Sequence, residues 1–167
     1  METYHINVDS SEAIACAFRK LVSEVKLIDP FEDSDADLQS LGVQLSFTDG
    51  SVLTFWSNTK KVNELHEIFM LGVSFTNSPA SAIPGVSEDW LNQLTFNELL
   101  TRRLHEKQVR GIEIMSSLDC ESGPIMRKDF GIRLLLDQGS LEIFTDWERV
   151  MPLWLKIRSN KLLESDA

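Results

Sequence analysis

The sequence predicts an α+β fold made of two similar α-β-β-β units, an antiparallel sheet packed against helices. A doubled phrase carries most of that expectation: "GVQLSFTDGS" at 42–51 returns as "GIRLLLDQGS" at 131–140. The first copy contains Asp49-Gly50 between two apolar runs, among the strongest short-range hairpin signals. A segment with helical spacing also stands upstream of each copy.

The first such segment is 10–21, "SSEAIACAFRKL". Asp9 and Glu12 stand at capping-box spacing, and Ile14, Ala17, Phe18, Leu21 and Val25 fall on one helical face. "EVKLI" at 24–28 reads as either the end of that helix or a strand, and Pro30 stops it in both cases. An acidic loop follows at 29–40, "DPFEDSDADLQS". A two-residue Asp49-Gly50 loop would set Phe47 opposite Val52, Leu45 opposite Thr54 and Val43 opposite Trp56. Phe55 then faces outward, as does Phe144 in the second copy. Residues 59–71 allow a helix or a buried strand, and 76–85 is a loop.

Ser87 reads as an N-cap with Glu88 and Asp89 in the first turn. Thr95 and Glu98 suggest a second capping box, leading a face of Phe96, Leu99, Leu100 and Leu104. "VRGIEIM" at 109–115 alternates like a strand, and a loop spans 116–129. In the second hairpin Leu136 is expected opposite Leu141, and Leu134 opposite Ile143. Aligned on Gly50 and Gly139, the copies share Gly42/Gly131, Leu45/Leu134, Ser51/Ser140 and Phe55/Phe144. Nearly the same offset lays the first helix over 96–107, and the same one lays the segment after the first hairpin over "DWERVMPLW". The expected organisation is one domain over 1–167, with units at about 9–71 and 95–160 joined by a loop and helix at 72–94.

Composition narrows the function classes. The chain has 167 residues, 43% hydrophobic and 25% charged, as in a globular protein that folds without metal or disulfide. Lys and Arg number 16 against 26 Asp and Glu, a net charge of −10, which repels nucleic acid and anionic membranes and attracts basic proteins. No window reaches a membrane-spanning length of apolar residues, and no signal peptide is expected from "METYHINVDSSEAIACAF". Cys16 and Cys120 have no metal-ligand spacing, so free thiols and a cytoplasmic location are the expectation.

Motifs with chemistry fail on inspection. Asp33, Asp35 and Asp37 match the first ligand positions of a calcium loop, but Leu38 stands where Gly is needed and Gln44 where Glu is needed. "HEIFM" at 66–70 lacks the second His of a zinc-protease helix. "DFG" at 129–131 has no phosphate-binding loop to accompany it, and "SNTK" at 57–60 has no partner motifs. "RRLHEKQVR" at 102–110 is basic, but Glu98, Arg102 and Glu106 recur at helical pairing distance and no aromatics interleave. No cofactor and no catalytic residue is expected.

A small, acidic chain without catalytic motifs resembles, in general profile, bacterial immunity or antitoxin-type proteins, which shield a cell by binding a toxin domain. The resemblance implies a non-enzymatic module that takes a basic protein partner. On physical grounds Glu32, Asp33, Asp35 and Asp37 are the candidate electrostatic contacts, with Phe55 and Phe144 as aromatic contacts. The competing expectation is a small-ligand site or enzyme between the two halves. Hairpin edges also invite a homodimer.

Overall fold

The computed structural model describes residues 2–4, 8–32, 38–63, 66–79, 82–119, 126–145 and 154–160. Strands dominate them. In order these are β1 (Glu2–Tyr4), α1 (Val8–Ala15), β2 (Val22–Leu27), β3 (Leu38–Ser40), β4 (Gly42–Phe47), β5 (Val52–Asn63) and β6 (His66–Thr76). Then come α2 (Glu88–Asn92), β7 (Thr95–Phe96), α3 (Glu98–Leu104), β8 (Val109–Asp119), β9 (Met126–Leu136), β10 (Gly139–Thr145) and β11 (Leu155–Asn160).

The fold is therefore mostly β, and the α+β expectation is corrected. Three segments account for the difference. Residues 59–71, open between helix and strand in the sequence, lie in the long β5–β6 hairpin. The expected loop at 116–129 is largely strand, because β8 and β9 pair from Val109↔Leu136 to Asp119↔Met126. The first helix ends at Ala15, and 22–27 is strand, so Phe18 and Leu21 stay exposed. The segment "DWERVMPLW", where a helix is one possibility, lies outside the described residues except for Trp154.

One sheet runs β6-β5-β4-β2-β7. The second holds β8, β9, β10, β11 and β3 in that order of pairing, with short β1 parallel to the start of β9. Alternation turns Val43, Leu45, Leu53 and Phe55 of the first sheet inward. They join Ile132, Leu134, Leu141, Ile143 and Ile157 of the second in one buried cluster. Ala13, Ile14 and Ala17, with Leu100 and Leu104 of α3, complete it. Ser87 caps α2 as expected, accepting from Trp90 N–H. Asn97 rather than Thr95 caps α3, since Thr95 is drawn into β7, where its hydroxyl reaches Leu27 C=O at 3.3 Å.

The two hairpins close differently. The first has a three-residue loop with Gly50 at φ +88° and a Gly50 N–H donating to Phe47 C=O at 3.0 Å, as in a turn with a glycine bulge. Its register is Leu45↔Leu53 and Val43↔Phe55, one residue from the expected pairing. The second has a two-residue loop, Asp137-Gln138, giving Leu134↔Leu141 and Ile132↔Ile143. That register differs from the expected one by two residues and keeps the same faces.

The halves nevertheless correspond in detail. Each runs helix, then a four-stranded antiparallel meander: α1-β2-β4-β5-β6 and α3-β8-β9-β10-β11. A bulge interrupts β2 between Val22 and Glu24, and another interrupts β8 between Val109 and Gly111. Before each, a non-glycine residue takes a left-handed backbone: Arg19 at φ 70° and Glu106 at φ 63°. These two junctions clasp each other reciprocally. Arg19 N–H donates to Val109 C=O and Glu106 N–H to Val22 C=O, both at 2.8 Å. Val22 N–H donates to Lys107 C=O and Val109 N–H to Lys20 C=O, both at 3.0 Å. The helices break this symmetry, α1 lying on β6 and α3 on β2.

Candidate functional site

The acidic loop is anchored at both ends. Ser40 Oγ accepts from Ile28 N–H at 3.0 Å and lies 2.8 Å from Ile28 C=O, tying β3 to the end of β2. Phe31 and Gln39 then exchange both backbone bonds, Phe31 N–H to Gln39 C=O at 3.0 Å and the reverse at 2.8 Å. Asp29 turns the chain into this clasp with φ 43°. The clasp holds Phe31 against Gln39, and residues 33–37 between them lie outside the described residues. β3 itself pairs with β11, so the loop is held by the second sheet as well as by β2.

Phe31 is the aromatic of this loop. It is 45% exposed, and its ring meets Trp154 edge-on at 4.8 Å. Asp29 and Glu32 beside it are exposed. Asp33, Asp35 and Asp37 lie outside the described residues. The result is an aromatic anchor with carboxylates at its rim.

The two phenylalanines expected on the surface separate. Phe55 is 0% exposed, packed inside the core against the row of Val43. The one-residue register change is the cause, because it exchanges the faces of β5. Phe55 therefore offers no surface to a partner. Phe144 does face away from the core, half-buried, opposite Gly131. It meets Phe130 edge-on at 6.3 Å, and the Arg158 guanidinium sits 5.5 Å from its centroid. Its counterpart in the first sheet is Trp56, which faces Gly42 across β4.

Next to Phe144 a row of charges crosses four strands: Glu113, Arg133, Glu142 and Arg158. Arg133 donates to Glu142 at 2.8 and 2.9 Å and to Glu113 at 2.7 Å. Those bonds, Glu142's first, hold its pKa above the ordinary guanidinium value. The matching row of the first sheet is Lys26, Gln44, Thr54 and Ser74, where Gln44 Nε2 donates to Thr54 Oγ1 at 3.1 Å. Gln44 and Thr54 are buried.

A cleft of about 560 Å³ opens on that face of the first sheet, beside α2. Leu41, Trp56 and Trp90 line it with Ser57, Ser87 and Gln93. It belongs to the first half and the connecting segment, not to a boundary between halves. Among the described residues no group of three or more His, Cys, Asp or Glu could hold a metal ion, and no helix is long and apolar enough to cross a membrane. Cys16 is an exposed free thiol. Comparison with protein-family models, with curated proteins and with solved structures finds no match.

The acidic loop expected over 29–40 ends earlier than expected, because Leu38–Ser40 is strand β3, and residues 33–37 lie outside the described residues. The sequence reading passed over Phe31. The available signal was an aromatic between Pro30 and a run of carboxylates, a poor place for a core residue.

Proposed function

We propose that this protein is a non-enzymatic binding module that takes a basic surface of a partner protein onto its acidic loop, in the cytoplasm. The observation that carries the reading is Phe31, held half-exposed on Trp154 at the base of a loop whose ends are clasped. An anchored aromatic supplies contact area at low entropy cost. Carboxylates around it steer a cationic partner and raise its association rate. A net charge of −10 adds long-range attraction of the same sign. An immunity or antitoxin-type role, with a basic toxin domain as partner, is the biological form this chemistry suits. The same proposal takes the two halves as diverged copies of one helix-and-meander unit, supported by the matched bulges and reciprocal junction bonds.

Affinity capture from native lysate tests it. The expected result is a basic protein that co-elutes with the wild-type chain and is lost with the variant Glu32→Gln, Asp33→Asn, Asp35→Asn, Asp37→Asn. Equal retention by both chains would remove the acidic loop as the site.

A further inference from the structure

We propose that the cleft beside α2 is a second binding site, specific for a neutral carbohydrate. Two glycines seat the tryptophans of this cleft. Gly72 lies opposite Trp56 in the β5–β6 ladder, and a Cβ there would collide with the indole at Cε2 and Nε1. The Trp56 ring therefore rests on Gly72 backbone, which leaves its other side to line the cleft. A Cβ at Gly42 would meet Trp90 at Cζ2 and Cη2, so the second indole is seated on backbone in the same way. Two half-buried tryptophans, each seated on a glycine, supply the aromatic lining of the cleft.

The described polar lining is uncharged. Ser57, Ser87 and Gln93 are its hydrogen-bonding side chains, and none of the described lining residues is Asp, Glu, Lys or Arg. Ser87 Oγ accepts from Trp90 N–H, which leaves its hydroxyl hydrogen to donate. Gln93 Nε2 reaches Asp89 C=O at 3.3 Å, which leaves its amide oxygen as an acceptor. An ionic ligand would find no counter-charge among the described lining residues. A purely apolar one would keep part of its surface in water, because the cleft opens to solvent. A sugar suits all three features: its C–H face stacks on indole, its hydroxyls meet Ser and Gln, and its outer edge stays hydrated. The volume falls within the range of ordinary ligand clefts.

Titration of tryptophan fluorescence with cellotriose, maltotriose, chitotriose and the anionic trigalacturonic acid tests this on the full chain. The expected result is saturable binding of at least one neutral trisaccharide at a Kd of about 1 mM or tighter, without binding of the anionic one. Gln93→Ala and Trp90→Phe should each weaken it at least ten-fold while the circular dichroism spectrum stays that of the wild type. The acidic-loop variant should bind sugar normally, so this site and the proposed protein-binding loop fail or stand separately. Absence of saturation with every neutral sugar, equal binding of the anionic one, or wild-type affinity in Gln93→Ala would each overturn the proposal.

Discussion

Trp56 and Gly72 show how one residue sets the room for another. The indole occupies the space a Cβ would take, so Gly72→Ala must displace the ring or the strand. We expect a loss of about 1–3 kcal/mol in urea unfolding, the usual cost of overpacking. Pairing it with Trp56→Ala should recover part of that loss. Two turn aspartates give a pH signature. Lys20's hydrogen bond, with those of Ser51, holds Asp49 well below the usual carboxylate range, and the Arg110 hydrogen bond, with the Gln108 N–H, lowers the pKa of Asp137. A lowered folded pKa contributes stability that is complete above the unfolded value of about 4 and is lost as pH falls through the folded one. The denaturation midpoint should therefore fall as pH drops below about 4, and fall less in Asp137→Asn. Identical acid profiles for the two chains would contradict this.

Turns decide the faces of the hairpins. Gly50 adopts φ +88° with open space around its Cα, so Gly50→Ala should cost about 1 kcal/mol through conformation alone. Gln138, at φ 71°, occupies a left-handed position that glycine prefers, and Gln138→Gly should stabilise by about 0.5–1 kcal/mol. Thermal or urea unfolding reads both signs. The hairpins themselves were legible in the sequence, since Asp-Gly and flanking apolar runs specify a turn. The register was not. A two-residue and a three-residue loop both suit Asp49-Gly50, and the choice moved Phe55 from surface to core. The strand character of 59–71 was hidden for a related reason. "IFMLGVSF" is apolar without alternation, which periodicity cannot assign. The α2 cap at Ser87 was legible because one side chain and one backbone N–H settle it locally. The Trp56–Trp90 cleft was not, because its walls come from segments that only the fold brings together.

At the scale of the whole molecule, strands cross between halves. β3 leaves the first half to pair with β11, and β7 leaves the second to pair with β2. Together with the reciprocal junction at 19–22 and 106–109, these crossings couple the two sheets through backbone as well as core. Urea unfolding followed by far-ultraviolet and by near-ultraviolet dichroism should give coincident transitions. Two separated transitions would mean that the sheets unfold independently. The acidic loop sits at one of these crossings, between β2 of one sheet and β3 of the other. Phe31, paired with Gln39 of β3, is thereby tied to both sheets.

The central claim is that this loop binds a basic protein, and association kinetics with the captured partner test it most directly. Neutralising Glu32, Asp33, Asp35 and Asp37 should slow association and flatten its dependence on salt, while Phe31→Ala should mainly speed dissociation. An on-rate and salt slope unchanged by the four substitutions would contradict the account.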